Sequence, residues 1–363
     1  MQRCNNMEFI SAREAAEKWG ISQRRVVVLC KENRIPGVQT VGNMWVIPAD
    51  AKKPIDGRGL RNNKVQTVSL KPFVKWAGGK GQLLANIRKT YPAGLGIDVK
   101  KYAEPFVGGG AVLFDVLSSY NLDAVYISDI NAELINTYRI IRDEVEGLIE
   151  LLSEYENEYI PMGNAQRKNY YYAKRERFNE LKVKGVSAIN IESAAIFIFL
   201  NRTCFNGLFR VNRKGLFNVP MGAYKKPTIC DTENLLHISS TLQNVEIVCG
   251  DYKKSSDFID SNTFVYFDPP YRPLNTTSDF TSYTEDGFDD KAQCELAEYV
   301  NLLTERGAKV VVSNSDPKNE NPEDEFFDEL YSFCRINRIE ASRMINSNAE
   351  ARGKISELLI CNF

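Results

Sequence analysis

The hydrophobic pattern changes character twice along the chain. In the first 50 residues it is helical. Ser11-Ala12-Arg13-Glu14 has the serine-to-glutamate spacing that lets two side chains cap a helix start, and Ala15, Ala16 and Trp19 follow at helical intervals. Gly20-Ile21 interrupts the pattern. Ser22 opens a second predicted helix through Asn33, with Val26, Leu29 and Cys30 on its inner face, and Pro36-Gly37 ends it. Val38 to Ile47 reads as a hairpin turning at Gly42-Asn43. From Lys52 to Lys64 the apolar positions thin out, and Pro54, Gly57 and Gly59 mark a linker. From Phe73 onward short apolar runs alternate with helical stretches. Strand-like runs fall at 102–107, 124–128, 245–249, 263–267 and 309–313. That alternation predicts an α/β domain on a mainly parallel sheet. The stretch from about 142 to 242 breaks the rhythm, is richer in charge and aromatics, and reads as an inserted, mainly helical subdomain. The expected boundaries are 1–52 for the first module, 53–71 for the linker and 72–363 for the α/β domain.

Charge sharpens this division. The net charge is −1, yet residues 1–70 hold twelve Lys/Arg against six Asp/Glu. Ser193 to Cys230 holds six basic residues and no acid. Basic charge is thus gathered in two places where a polyanion can dock. The first module, two helices and a hairpin, resembles the winged helix-turn-helix domains of excisionase and MerR type. That resemblance implies DNA binding through the start of the second helix, at Arg24 and Arg25; docking to a protein is the alternative. No apolar run reaches membrane-spanning length and no leader pattern precedes residue 9, so a cytoplasmic protein is expected. Eight cysteines stand singly with no Cys-x-x-Cys pair, and His237 is the only histidine. Neither a metal cluster nor a histidine-centred triad is expected.

Four segments carry chemistry. Phe106-Val107-Gly108-Gly109-Gly110 lies between a strand and a helix, where Gly108 and Gly110 let the backbone turn sharply against a ligand. Asp129 closes the next strand, placed for ribose hydroxyls, with Asn131 beside it as a helix cap. This pair serves a dinucleotide as well as S-adenosylmethionine. Asp268-Pro269-Pro270-Tyr271 then follows the apolar strand 263–267. Prolines lack backbone donors but keep acceptor carbonyls. The Asp268 carboxylate and the Pro269 carbonyl can each accept one hydrogen of an adenine amine, drawing its nitrogen towards tetrahedral geometry. Tyr271 offers a face for a flipped-out base. Upstream, Phe73-Val74-Lys75-Trp76-Ala77-Gly78-Gly79-Lys80 supplies an aromatic and a base near a turn.

In this order the motifs resemble the Dam-like (D12-type) DNA adenine methyltransferases over roughly residues 72–363. The resemblance implies a Rossmann-like fold, S-adenosylmethionine as cofactor and direct methyl transfer to adenine N6 in double-stranded DNA. It implies that Trp76 and Lys80 bind the cofactor, Lys80 through its methionine carboxylate. Asp129 would hold the ribose, and Asp251, with Tyr252 beside it, the cofactor adenine. It also implies a DNA-contacting hairpin after Asn201: Phe205 as a wedge, Asn206 as its support and Arg210 on a guanine, with Arg202 and Asn212 in the same set. GATC is the group's commonest target, and a cognate restriction endonuclease a plausible companion. Residues 1–70 depart from the simplest members and leave the target site open. Two rivals stand beside this reading: an RNA or protein methyltransferase of similar fold, and a DNA-binding regulator without activity.

Overall fold

A strand buried on both faces needs cover on both sides, and Thr263–Phe267 (β7) is buried at every position. It lies near the middle of a seven-stranded sheet ordered β6-β5-β4-β7-β8-β10-β9. The other strands are Lys101–Pro105 (β4), Ala124–Asp129 (β5), Val245–Cys249 (β6), Lys309–Ser315 (β8), Arg335–Ser342 (β9) and Lys354–Cys361 (β10). Strands β6 to β8 pair in parallel, and β10 runs antiparallel to both β8 and β9. The computed structural model describes residues 9–19, 23–31, 35, 37–42, 44–49, 51, 70–185, 190–272, 288–342 and 354–363.

Alternate residues feed the two faces of this sheet, as the period of two requires. Tyr102, Val125, Ile127, Phe264, Tyr266, Val311 and Leu359 join one core, and Ala103, Tyr126, Val265, Phe267, Val310, Val312 and Leu358 the other. The helix Ile191–Thr203 has apolar residues on every side and is correspondingly buried, from Ser193 through Asn201 without a break. It packs on the helix Ala132–Asp143 that follows β5. The stretch expected as an inserted subdomain therefore shares the sheet's own core, because its central helix has no polar face to turn outward.

The chain divides into two compact units, Met1–Thr67 and Val68–Phe363. The first contains Phe9–Ser11 (β1), Ala12–Trp19 (α1), Gln23–Lys31 (α2), Gln39–Val41 (β2) and Met44–Pro48 (β3). Its strands form an antiparallel sheet in the order β1-β3-β2. The predicted reciprocal cap is present: Glu14 N donates to Ser11 Oγ at 3.2 Å and Ser11 N to Glu14 Oε2 at 2.7 Å. Gly42 supplies φ +63° at the hairpin turn. Ala15, Ala16, Val26, Leu29 and Ile47 close the core. Strand β1 was not expected from the sequence; its three residues are too few to show a period. Among the described residues no helix is long and apolar enough to cross a membrane.

Candidate active site

The site forms where the strand order reverses. β5 and β6 lie to one side of β4 and β7 and β8 to the other, so the loops leaving β4 and β7 part and open a crevice. Leaving β4, Phe106 takes φ +88°, a conformation costing about 1–3 kcal/mol for a residue with a side chain. Two bonds to one acceptor hold it there: Phe106 N and Val107 N both donate to Ser128 O, at 2.9 and 3.0 Å. Gly108 and Gly110 follow at φ +49° and +74°. A Cβ at Gly108 would lie 2.7 Å from the Trp76 ring, and one at Gly110 2.5 Å from Tyr138 Oη.

Asp129 closes the turn from the neighbouring strand. Its Oδ2 accepts from Gly108 N at 3.1 Å and its Oδ1 from Asn131 N at 2.9 Å. Burial pushes this carboxyl above its ordinary value, against the pull of those N–H donors. Two lone pairs remain for hydroxyl donors. Asn131 caps the next helix through Leu134 N at 2.8 Å, the local role foreseen for it. Ile130, which sequence reasoning passed over, is 51% exposed beside Asp129. An open apolar wall, a carboxylate with spare acceptors and glycines with no room for a Cβ fit an adenosine-bearing cofactor. Asp251 is exposed and caps the short turn Tyr252–Ser255 through Lys253 N at 2.8 Å. Tyr252 corrects the expectation. Its ring is buried and stacks on Phe106 at 5.4 Å, so it carries Phe106 from behind and has almost no free surface for a ligand. Trp76 stacks on Phe209 at 5.6 Å, lying between the glycine turn and the stretch 204–222.

At the end of β7, Asp268 is tightly held. Its Oδ1 meets Lys80 Nζ at 2.7 Å and accepts from Ser313 Oγ at 2.8 Å. Tyr266 donates to that Ser313 hydroxyl at 3.2 Å. Lys80 is almost wholly buried, also donates to Gly78 O at 2.7 Å, and sits 4.6 Å from the centre of the Tyr271 ring. This departs from the expected free lysine awaiting a cofactor carboxylate. A buried ammonium needs an anion at once, and Asp268 is the one in reach. Tyr271 donates to Glu357 Oε2 at 2.9 Å, fixing the plane of its ring. Pro269 is buried and Pro270 exposed. Arg272 anchors the residue after the tetrapeptide, bonding Asp290 through Nε at 2.7 Å and Asp324 through Nη1 at 2.9 Å.

Sequence reasoning missed Glu104. It is 2% exposed on β4 and accepts from Tyr102 Oη at 2.6 Å. Burial, with the negative charge of Asp268 adding to it, pushes its carboxyl up to about 8. A lone acid in an apolar strand that runs into the glycine turn was the available signal.

The stretch 204–222 places the remaining predicted residues. Phe205 is 53% exposed, and Asn206 beside it takes φ +57°. Arg210 is exposed, with its Nε on Asn218 Oδ1 at 2.8 Å, which leaves both terminal nitrogens outward. Two residues are corrected. Arg202 is half-buried and donates to Phe73 O at 3.1 Å, because it leaves the helix on its inner side. Asn212 spends its Oδ1 on Lys214 N and Leu216 N, at 2.9 and 3.1 Å, to shape its own turn. Asn201, buried and not foreseen, accepts from Lys75 N at 2.8 Å and donates to Lys75 O and Gly207 O at 2.8 and 3.0 Å. Arg24 and Arg25 lie on α2, but their side chains fall outside the described residues.

Residues 76–345 match the family described as D12 class N6 adenine-specific DNA methyltransferase. The chain is 46% identical over 298 residues to the Type II methyltransferase M.MjaIII of Methanocaldococcus jannaschii, covering 82% of this chain and 100% of that protein. It is 39% identical over 306 residues to the Type II methyltransferase M1.LlaDCHI of Lactococcus lactis subsp. cremoris, covering 84% and 98%. It is 35% identical over 287 residues to the DNA adenine methylase of Escherichia coli K12, covering 79% and 93%.

Proposed function

Since the chain belongs to the D12 class N6 adenine-specific DNA methyltransferases, we propose that it methylates one adenine of a short DNA site, with Asp268, Pro269 and Tyr271 meeting the base. Bound S-adenosylmethionine supplies an electrophilic methyl on a sulfonium sulfur. Asp129 would hold the ribose hydroxyls with its spare lone pairs, Asp251 the adenine edge, and Phe106 and Ile130 the adenine faces. Trp76 backs the glycine turn from behind.

The observation that carries this reading is the fixed carboxylate at the end of β7, with Ser313 and Lys80 both on Oδ1. One oxygen is thereby anchored and the other is left to receive an amine hydrogen. The Pro269 carbonyl takes the second hydrogen. The nitrogen lone pair, no longer shared with the ring, then attacks the methyl in line. The new N–C bond forms as the S–C bond breaks, and the amine proton leaves afterwards. Lys80 would keep Asp268 in place until the base arrives. Catalysis of this kind is positioning and electrostatics, and no covalent enzyme intermediate is required.

Phe205 would fill the space left by the extruded adenine, with Asn206 as its support, and Arg210 would read a guanine with its two outward nitrogens. The winged-helix reading of residues 1–52 makes that module a second DNA reader. GATC is the first site to test, and the two Type II relatives favour a place beside a restriction endonuclease. The test is to incubate the protein with S-adenosylmethionine and unmethylated DNA, RNA or protein, then map the methyl groups. N6-methyladenine recurring at one DNA sequence is expected. Methylated cytosine, or transfer to RNA or protein alone, would overturn it.

A further inference from the structure

Two consecutive prolines restrict their own dihedrals but have no donor with which to tie themselves to the rest of the fold. Pro269 and Pro270 have no N–H, so whatever anchors this stiff segment and orients it as a unit must come from other elements. Two buried amides supply it. Gln293, on the helix Asp290–Glu305, is fully buried and uses both ends of its side chain. Its Nε2 donates to Pro270 O at 3.1 Å, and its Oε1 accepts from Asn314 Nδ2 at 3.1 Å. Asn314, on β8 and 1% exposed, in turn accepts on Oδ1 from Arg272 N at 3.1 Å and from Ser315 N at 2.9 Å. Ser315 Oγ donates to Arg272 O at 2.8 Å. The Pro270 carbonyl and both backbone groups of Arg272 are thus occupied. Among the described residues no donor takes the Pro269 carbonyl.

We propose that Gln293 and Asn314 are positioning residues, a two-amide relay that aims the Pro269 carbonyl and so sets the acceptor geometry for the adenine amine. The inference rests on the reading that this carbonyl accepts an amine hydrogen. Neither residue touches substrate; both act through the tetrapeptide backbone. If packing alone were needed here, apolar side chains would fill the space without the cost of burying two amides. By occupying Pro270 O and Arg272 from one side, the relay fixes the peptide planes on either side of Tyr271 and leaves one proline carbonyl available. Misplacing a reacting group by about 1 Å can cost on the order of 100-fold in rate.

The test uses the full chain, S-adenosylmethionine and a DNA duplex containing the mapped site. Gln293→Met keeps the volume but removes the donor. Its single-turnover methylation rate is expected to fall about 10- to 100-fold, with cofactor and DNA dissociation constants within about twofold of the unaltered protein. Asn314→Ala breaks the relay from its other end and is expected to give the same split, so the idea remains testable if one variant folds poorly. Because the two act in series, the double variant should be no slower than the slower single one. Three outcomes overturn the relay: near-normal rates in both variants, losses that multiply in the double variant, or weakened binding at an unchanged rate. Asp268→Ala runs alongside. Turnover by that variant would sink the underlying acceptor reading, whereas its silence beside near-normal Gln293→Met and Asn314→Ala would sink the relay alone.

Discussion

Around Asp268 the side chains are tied to one another; along residues 204–222 the backbone is tied, and Phe205, Asn206 and Arg210 are left outward. In the first region Lys80, Ser313, Tyr266, Tyr271 and Glu357 share a continuous set of contacts, largely out of water. In the second, Phe205 N donates to Pro220 O at 2.9 Å, Asn218 N to Arg210 O at 3.1 Å and Gly222 N to Thr203 O at 2.8 Å, yet Phe205, Asn206 and Arg210 face solvent. On the proposed function the difference follows from what each would meet. A small amine in a closed pocket needs acceptors fixed before it arrives. A duplex presents a long polar edge, and reading it needs rigid stems with free ends. Changes near Asp268 should therefore alter rate at constant affinity, and changes at 204–222 should alter choice of sequence at constant rate.

The largest expected effect is at the first region. Asp268→Ala should lower the single-turnover rate by about 10³-fold or more while the protein still binds cofactor, measured by rapid quench and calorimetry. A rate within tenfold of normal would erase the contrast. At the second region, Arg210→Ala should narrow the preference for the cognate site over a single-base variant by about 10- to 100-fold and hardly change the rate on the cognate site. Competition between the two duplexes would show it; an equal loss on both sites would make Arg210 a phosphate contact instead. Asn201 ties residues 204–222 to the segment that leads to Lys80, since it binds the backbone of Lys75 and of Gly207. Asn201→Ala leaves three backbone groups without partners, that of Gly207 buried, and should cost about 1–3 kcal/mol of stability. It should also change both rate and DNA affinity, on the order of tenfold; an effect on one alone would show that the regions are independent.

The smallest effect is on stability alone. The Glu104 carboxyl sits at about 8 in the folded chain against an ordinary value of 4.5. Between those values the unfolded chain loses a proton that the folded chain keeps, so folding weakens as pH rises through that window. Glu104→Gln removes this penalty. Its melting temperature should exceed that of the unaltered protein by about 5 °C at pH 8.5, and the gap should shrink steadily as the pH falls towards the ordinary carboxyl range. A gap that stays constant with pH would mean that Glu104 is ionised when buried.

Much of this was legible beforehand, and the failures have separate physical causes. β6 and β7 were read to the residue because their apolar runs end at Gly250 and at Asp268-Pro269. β9 and β10 were not read as strands. Arg335–Ser342 mixes charges into an edge strand, and periodicity there competes with solubility. Asp129, Asp268 and Arg210 stood out because each sits at a strand end or a turn, where residue type and position speak together. Glu104, Asn201 and Gln293 were missed because their roles come from burial, which spacing reveals only weakly. Gln293 did leave a trace. It stands three and four residues before Leu296 and Ala297, on the face where the helix is otherwise apolar. Arg202 and Asn212 were overread by proximity to a basic segment; their side chains turn back to the chain itself.

β10 has a consequence for how the enzyme is made. It is synthesised after β8 and β9, yet it lies between them and pairs with both. Until residues 354–361 leave the ribosome, β8 and β9 have no partner to join them, and Tyr271 lacks the Glu357 that orients it. A growing chain can close its first module early. A chain still short of Glu357 carries the tetrapeptide without the contact that sets the plane of its tyrosine.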